Sequence, residues 1–331
     1  MNTQYFSTED EELRKAAEII KAGGLVAFPT ETVYGLGGDA YNAESSCKIY
    51  AAKGRPSDNP LIVHVADVAG ARALVTDFPE TAEKLAESFW PGPLTMVLPK
   101  KTEIPDATTG GLSTVAVRCP SDEAARKLII YSGLPIAAPS ANLSGRPSPT
   151  QWKHVKDDLD GKIDGIIMGE PCIGGIESTV VDLTGSTPQI LRPGLITPER
   201  ITEATGLPCS YDPAITGADP NARPKAPGMK YKHYAPKAQM IIFSGATDLV
   251  VKAMEKKNWS LCGKGLAVTN LFYKNAEQAA ARLFADLRKA DQNGADYILV
   301  NALPETRSLN YSVMNRMLKA AGYNIIEVEE E

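Results

Sequence analysis

Apolar runs of strand length alternate with segments of helical periodicity from the N-terminus to about residue 200. The alternation stops over residues 207–236, which contain six prolines, and a shorter alternation follows. Strands and helices that alternate along a chain pack as α/β layers, and a proline-rich gap is typical of a linker. The sequence therefore predicts a first domain, a basic linker and a second α/β domain, at 1–206, 207–237 and 238–331.

The first domain is predicted to contain a sheet that is not purely parallel. Thr8 and Glu11 have the spacing of a capping box, and Gly23-Gly24 ends the helix that follows. Further helices are predicted over 43–52, 67–75, 79–89, 122–132 and 150–160. Strands are predicted over 25–28, 61–65, 94–99, 114–118, 135–138 and 164–168. Two late apolar segments, 178–183 and 189–192, flank a turn and predict a hairpin, which requires antiparallel pairing.

The second domain is predicted to be a small parallel sheet of Rossmann-like type. Its strands are predicted over 240–243, 265–269 and 297–300, and its helices over 247–257, 275–291 and 308–320. The acidic tail from Glu327 is predicted to fray. The second half of the linker, 223–237, carries five Lys or Arg residues and no acid, and we interpret residues 223–236 as a cover for a site.

Composition narrows the class of protein. Of the 331 residues, 43% are apolar and 23% charged, and the net charge is −5. A chain that bound nucleic acid over its whole surface would usually be basic, so no strong direct nucleic-acid binding is expected. Residues 1–12 are acidic and no apolar run approaches the roughly 20 residues of a membrane span. Five scattered cysteines indicate a reducing cytoplasm, and three histidines make a zinc site unexpected, so no metal ligand is assigned.

Two polar loops, 53–60 and 139–147, are the main candidates for a site. Each follows an apolar stretch and is broken by Gly and Pro. Lys53 and Arg55 are cations, whereas Ser140 and Asn142 are neutral hydrogen-bonding groups. This mixture suits a polyphosphate held beside a small polar substrate. The alternative for Lys53 and Arg55 is a favourable interaction with the C-terminal end of a helix dipole.

Other polar residues occur where predicted strands end, and each has a structural alternative. His64 lies inside an apolar strand, where a satisfied core histidine is the commoner outcome. Thr114 and Arg118 are four apart on one strand and so share a face, yet an exposed strand end is equally compatible. Ser178 and Arg192 would face one cleft only if the hairpin forms. The glycine spacing of residues 29–38 is not that of a dinucleotide site.

These motifs together resemble one family. The segments are PTETVYGLG, KGRPSDNPLIVHV, WPGPLT, APSANLSG, ESTVVDL and ILRPG, followed by APGMKYKHYAP. The set resembles the YrdC-type threonylcarbamoyl-AMP synthases in their long, two-domain form. The resemblance implies a YrdC-like twisted mixed-sheet domain with a positively charged cavity, plus the small second domain. It also implies synthesis of L-threonylcarbamoyl-AMP and diphosphate from L-threonine, bicarbonate and ATP, for the threonylcarbamoyladenosine beside the anticodon of tRNAs.

The resemblance also implies roles for residues. A tetrad of K-x-R and S-x-N type falls on Lys53, Arg55, Ser140 and Asn142. The residues that would hold L-threonine are Thr32, His64, Arg118, Ala138 and Ser178. The residues that would hold ATP are Arg55, Asn59, Thr114, Ser140, Ser148, Arg192 and, from the linker, Tyr231. Mg²⁺ would be held mainly by phosphate oxygens and water, and the product would pass to a tRNA threonylcarbamoyl transferase complex.

Three other classes of function remain open from the residues. The first is an RNA-binding or regulatory protein of similar fold without turnover, against which the net charge and the lack of aromatic residues in the site loops argue. The second is a carbamoyl transferase like those of hydrogenase maturation, whose extra zinc-finger and acyl-phosphatase-like regions have no counterpart here. The third is a scaffold, which would not need so many site-like loops.

Overall fold

The computed structural model describes residues 2–215, 233–304 and 309–329. The described residues fall into two units. The first unit holds 2–144 and 149–215, and the second holds Gly145–Ser148 together with 233–304 and 309–329. Tyr231 and most of the predicted cover lie outside the described residues.

Helices and short strands alternate through the first unit. Its helices are α1 (Asp10–Lys21), α2 (Ala43–Lys53), α3 (Val68–Leu74), α4 (Glu80–Phe89), α5 (Asp106–Thr109), α6 (Glu123–Ser132), α7 (Trp152–Leu159) and α8 (Pro198–Thr205). Its strands are β1 (Gln4–Phe6), β2 (Val26–Phe28), β3 (Gly35–Asp39), β4 (Ile62–His64), β5 (Leu94–Pro99), β6 (Thr114–Arg118), β7 (Ile136–Ala138), β8 (Gly165–Ile167), β9 (Thr179–Asp182), β10 (Gln189–Arg192) and β11 (Ser210–Tyr211).

The strands of the first unit form one mixed sheet in the order β1-β8-β2-β3-β7-β4-β6-β5-β9-β10-β11. The central pair β4 and β6 is parallel, whereas β5 and β6 are antiparallel. The predicted hairpin is present as the antiparallel pair β9 and β10. The prediction of a mixed sheet is confirmed, and it places the ends of β4, β6 and β9 close to one another.

Helix α1 shows how local sequence and packing combine in this unit. Its four core-facing side chains recur at helical spacing and are fully buried, namely Leu13, Ala16, Ala17 and Ile20. Burial of one large aliphatic side chain contributes about 1.5–3 kcal/mol. The predicted capping box is wrong, however, because the N-cap is Glu9 and its side chain makes no capping hydrogen bond. Packing of the apolar face rather than a cap therefore decides where α1 forms.

Strand β3 was not predicted, since its sequence GLGGD suggests a loop. Glycine weakens a strand interior unless a close approach requires it. A Cβ atom at Gly37 would lie 2.6 Å from Ile136 Cγ2 on β7 and 2.8 Å from Phe28 Cε1. Ile136 and Phe28 thus occupy the space that a side chain at position 37 would need. The strands β1 and β11 and the helices α5 and α8 were also not predicted, and β11 lies within the segment predicted as linker.

The second unit carries a separate sheet of four parallel strands in the order β13-β14-β12-β15. Its elements are β12 (Gln239–Gly245), α9 (Thr247–Cys262), β13 (Val268–Leu271), α10 (Ala276–Gln292), β14 (Tyr297–Asn301), α11 (Leu309–Ala321) and β15 (Ile325–Val328). The predicted parallel α/β type is confirmed. The predicted fraying from Glu327 is wrong at that residue, which lies in β15 and pairs with Ser244.

Within 2–215, 233–304 and 309–329, no helix combines the length and apolar character needed to cross a bilayer.

Candidate active site

The end of α2 positions Lys53. The side chain of Asn42 caps the helix start by accepting from the Glu44 backbone N–H at 2.9 Å. Gly54 ends the helix in the left-handed region, with φ 61°, which glycine adopts at little cost. Lys53 is therefore the last helical residue, and its side chain is 2% exposed.

The ammonium of Lys53 joins the two predicted polar loops. It donates to the backbone carbonyl of Ser140 at 2.5 Å and to that of Asn142. The Lys53 carbonyl in turn accepts from the Ser144 N–H at 2.9 Å. An ammonium has three donors and no acceptor, so two of them serve to shape the loop that carries Ser140 and Asn142. Lys53 thus acts on the loop's conformation as well as on local charge.

The side chains of that loop also contact each other. Ser140 Oγ donates to Asn142 Oδ1 at 2.5 Å, and Asn142 Nδ2 donates to the Leu143 carbonyl at 2.8 Å. Ser140 forms an isolated bridge with Gly35 at the start of β3. The K-x-R and S-x-N residues predicted as a tetrad are therefore brought together at Lys53, Ser140 and Asn142.

Arg55 folds over the loop that follows α2. Its guanidinium lies 3.4 Å from the Asn59 carbonyl and 3.2 Å from the Pro60 carbonyl. Asn59 is 1% exposed, and its Oδ1 atom is buried without a hydrogen-bond partner among the residues that the structure describes. An unpartnered buried oxygen costs free energy, so a ligand that donates a hydrogen bond at Asn59 would remove that cost.

A row of polar side chains crosses three neighbouring strands of the sheet. His64 on β4 pairs with Arg118 on β6, and Arg118 pairs with Thr95 on β5. Residues directly opposite on paired strands point to the same face. The predicted pair of threonine ligands, His64 and Arg118, is therefore adjacent, and Thr95 joins them. Thr114 lies at the other end of β6, opposite Pro99.

His64 is a neutral group in this row. It is 3% exposed, and its Nδ1 lies 3.2 Å from the Ile62 carbonyl. Burial, and then the positive charge of Arg118, lowers the pKa of His64 from 6.5 to about 3. At neutral pH His64 can offer a hydrogen bond but no charge.

Arg118 is the buried cation of the row. It is 4% exposed, and its Nη2 lies 2.8 Å from Glu31 Oε1. The contact is Coulombic rather than a well-aligned hydrogen bond, since neither of these two atoms has a hydrogen-bond partner in the described part of the chain. Glu31 Oε2 accepts from the Ser121 N–H at 3.2 Å. A guanidinium in a buried position suits bidentate recognition of a carboxylate.

Ser178 and Arg192 meet at the base of the hairpin. Ser178 Oγ lies 2.8 Å from Thr95 Oγ1 and accepts from Arg192 Nη2 at 2.9 Å. Arg192 Nε donates to the Ser178 carbonyl at 3.0 Å. Ser178 is fully buried and Arg192 is 8% exposed. Pairing of β9 with β10 thus brings Ser178 and Arg192 together. The sequence predicted this contact only on the condition that the hairpin forms.

Thr32 and Ala138 lie on the elements that flank this row. Thr32 is fully buried in the loop between β2 and β3, and its Oγ1 lies 2.8 Å from Thr30 Oγ1. Ala138 ends β7, opposite Ile62 of β4. The structure places Ser148, 1% exposed, in the four-residue segment of the second unit. Tyr231 lies outside the described residues.

Two further residues, Glu31 and Thr95, belong to the candidate site. Glu31 lies in the PTETVYGLG motif and Thr95 in the WPGPLT motif, but neither is among the residues to which the family resemblance assigns a role. A threonine at position two of the otherwise apolar strand LTMVLP was the available signal for Thr95. Within the described ranges, no group of three or more His, Cys, Asp or Glu side chains could hold a metal ion.

Comparisons with known proteins find relatives of this chain. The family model Sua5_yciO_yrdC, described as "Telomere recombination", matches residues 18–194. A second model, described as "Threonylcarbamoyl-AMP synthase, C-terminal domain", matches residues 196–322. The threonylcarbamoyl-AMP synthase of Pyrococcus abyssi (strain GE5 / Orsay) is 47% identical over 97% of this chain and 97% of its own length. The chain belongs to the threonylcarbamoyl-AMP synthase family.

Further relatives support the family and its fold. The threonylcarbamoyl-AMP synthase of Bacillus subtilis (strain 168) is 44% identical and covers 98% of this chain and 97% of its own. The crystal structure of P. abyssi Sua5 complexed with L-threonine superposes with a TM-score of 0.94 at 45% identity, over 99% of this chain and 100% of that one. The family resemblance inferred from the motifs is confirmed.

Proposed function

We propose that this protein synthesises L-threonylcarbamoyl-AMP and diphosphate from L-threonine, bicarbonate and ATP. The observation that carries the proposal is the buried row of His64, Arg118 and Thr95, continued by Ser178. It offers one cation, hydroxyls and a neutral imidazole to a small amino acid. The family membership and the likeness to a structure described as complexed with L-threonine support the same assignment.

Arg118 would bind the carboxylate of L-threonine. Its guanidinium is held between Glu31 and the Gly92 carbonyl, which lies 3.4 Å from Nε, so its plane is oriented before the substrate arrives. Ser178 and Thr32 would contact the polar groups of the substrate, His64 would line the site as a neutral donor or acceptor, and the Ala138 backbone would add a contact.

The loop residues would bind ATP beside the amino acid. Arg55 and Arg192 would neutralise phosphate charge, and Lys53 would do so while it shapes the loop of Ser140 and Asn142. The other proposed contacts to the nucleotide are Asn59, Thr114, Ser140, Ser148 and Tyr231. The positively charged cavity predicted from the resemblance belongs to the same proposal.

The proposed reaction depends on positioning of the two substrates rather than on a covalent intermediate with the enzyme. The threonine amine adds to bicarbonate and water leaves, which gives a carbamate. A carbamate oxygen then attacks the α-phosphorus of ATP, the bond from that phosphorus to the bridging oxygen breaks, and diphosphate departs with the bonding electrons. Orientation of two substrates and stabilisation of spread negative charge would supply most of the rate. Fixed cations and hydroxyls suit that task.

Mg²⁺ would enter with the triphosphate. The donors around the candidate nucleotide site are cations, hydroxyls and amides, so phosphate oxygens and water would supply its ligands. Residues 223–236 remain our candidate for a cover that limits hydrolysis of the carbamate and the adenylate.

The product would serve tRNA modification. We propose that it passes to a transferase complex that attaches the threonylcarbamoyl group to adenosine beside the anticodon. We also propose a cytoplasmic location, because all five cysteines are unpaired and free thiols persist in reducing compartments.

The decisive experiment is release of diphosphate from ATP with and without L-threonine and bicarbonate. Release that requires both would support the proposed reaction. Release without threonine would point to another acceptor. A folded protein that binds ATP without release, or that binds RNA in a salt-sensitive way without turnover, would refute the proposal in favour of a regulatory or RNA-binding role.

A further inference from the structure

A four-residue excursion of the chain belongs to the second unit, although the residues before and after it belong to the first. Gly145–Ser148 groups with the second unit. Within the first unit, the residue before the excursion donates from Ser144 N–H to the Lys53 carbonyl at 2.9 Å, and the residue after it accepts at the Pro149 carbonyl from the Tyr34 N–H at 2.8 Å. Both ends of the excursion are therefore anchored.

Within the second unit, Arg288 of α10 holds the middle of the excursion. Arg288 Nε donates to the Pro147 carbonyl at 3.1 Å, and Nη2 donates to the same oxygen at 2.6 Å. The Ala235 N–H also donates to the Gly145 carbonyl at 2.9 Å. Arg288 is 2% exposed, and burial of a guanidinium is costly unless its hydrogen bonds are made. The two hydrogen bonds to the Pro147 carbonyl therefore offset part of the cost of burying Arg288.

The same face of α10 holds the chain that leads into the second unit. Phe284 stacks on Tyr234, with ring centroids 5.1 Å apart, and Asp291 Oδ1 accepts from the Lys237 N–H at 2.8 Å. Phe284, Arg288 and Asp291 follow each other at helical spacing of four and three residues, which places them on one side of the helix. One helix face thus organises both the excursion and the end of the linker.

We propose that Arg288 is a positioning residue for Ser148, through the Pro147 carbonyl, and that it strengthens ATP binding. The inference rests on the proposed function, which assigns Ser148 to ATP. The peptide between Pro147 and Ser148 is a planar unit, so a fixed Pro147 carbonyl also fixes the direction of the Ser148 N–H. Arg288 would in this way contribute to nucleotide affinity without supplying a reacting group.

The test compares Arg288→Met and Arg288→Lys with Arg282→Met. Arg282 is a matched control because it is an exposed arginine of the same helix, 3.4 Å from Asp286. The measurements are KM for ATP, KM for L-threonine, kcat, and the dissociation constant of ATP by equilibrium dialysis without threonine. Arg288→Met should weaken ATP binding about tenfold, as loss of a charged hydrogen bond to a carbonyl does. Its KM for threonine should stay within about twofold, and a general loss of structure would not be selective in this way.

A double-mutant cycle with Ser148→Ala identifies the route of the effect. If Arg288 acts through Ser148, Arg288→Met should add little to the weakening of ATP binding in the Ser148→Ala background. Arg288→Lys retains charge but has a single donor group, so its ATP affinity should fall between those of the wild type and Arg288→Met, and this variant carries the test if Arg288→Met does not fold.

Two outcomes would overturn the proposal. One is an ATP dissociation constant for Arg288→Lys and Arg288→Met equal to that of Arg282→Met. The other is an effect of Arg288→Met that is fully additive with Ser148→Ala. Because ATP binding is measured directly, a wild type that binds ATP without releasing diphosphate would refute the proposed function alone and still report on Arg288.

Discussion

The protonation of His64 predicts a specific dependence of stability on pH. The folded protein keeps His64 neutral because its pKa is lowered to about 3 by burial, with a further contribution from Arg118. In the unfolded chain the imidazole has an ordinary pKa of about 6.5. As the pH falls below about 6.5, the unfolded state takes up a proton that the folded state refuses until about pH 3. The stability that neutral His64 contributes is therefore fully present above about pH 6.5 and is lost as the pH falls from about 6.5 to about 3.

The size of the effect follows from the two pKa values. For a single site, lowering the pH from about 7.5 to about 5 should reduce the free energy of unfolding by about 2 kcal/mol. His64→Asn removes the titrating group and retains an amide that can donate to the Ile62 carbonyl, which lies 3.2 Å from Nδ1 in the wild type.

The assay is urea unfolding of the wild type and His64→Asn at both pH values. The other titrating groups are common to the two proteins, so their contributions cancel in the difference. The wild type should lose about 2 kcal/mol more than the variant between the two pH values. Equal losses in the two proteins would show that His64 is not held neutral by the fold and would refute the reasoning.

Three further predictions concern the candidate site. Lys53→Met removes the donor to two loop carbonyls and should raise the barrier to turnover by about 2–4 kcal/mol in the diphosphate assay. The control Lys48→Met removes an exposed ion pair on the same helix and should leave kcat within about twofold. Equal rates for the two variants would contradict the role assigned to Lys53. Arg118→Lys loses the planar fork and should raise KM for L-threonine about 10- to 100-fold with little change in KM for ATP, and initial rates that changed equally with both substrates would argue against carboxylate binding. Asn59→Leu replaces a buried oxygen that lacks a partner among the described residues with an apolar group. The free energy of unfolding should therefore stay level or rise by about 1 kcal/mol, while ATP affinity falls about tenfold. Unchanged ATP binding would remove Asn59 from the nucleotide site.

Local patterns in the sequence were sufficient for most of the elements that position the site. The boundaries predicted for β5 and β6 match the structure, because apolar runs bounded by turn residues mark buried strands. Local patterns did not predict β3. The glycines that allow Phe28 and Ile136 to pack closely there are indistinguishable in sequence from the glycines of a loop. His154 lies in the largely polar helix Trp152–Leu159, whose sequence suggests an exposed side chain, yet it is 6% exposed and its Nδ1 accepts from the Thr150 N–H at 3.3 Å. Burial of a single polar side chain depends on neighbours that are distant in sequence.

The sequence by itself determined the α/β class, the mixed and parallel character of the two sheets, and the family, since these follow from periodicity and from motifs that are continuous in the chain. It also marked Arg118, Ser178 and Arg192 as polar residues where strands end. Only the tertiary structure decided that the Lys53 ammonium contacts two backbone carbonyls at sequence separations of 87 and 89 residues. It also decided that Glu31 pairs with Arg118 and that Arg288 donates to the Pro147 carbonyl. These contacts join groups without a local sequence relationship, and strand register and helix packing bring them together.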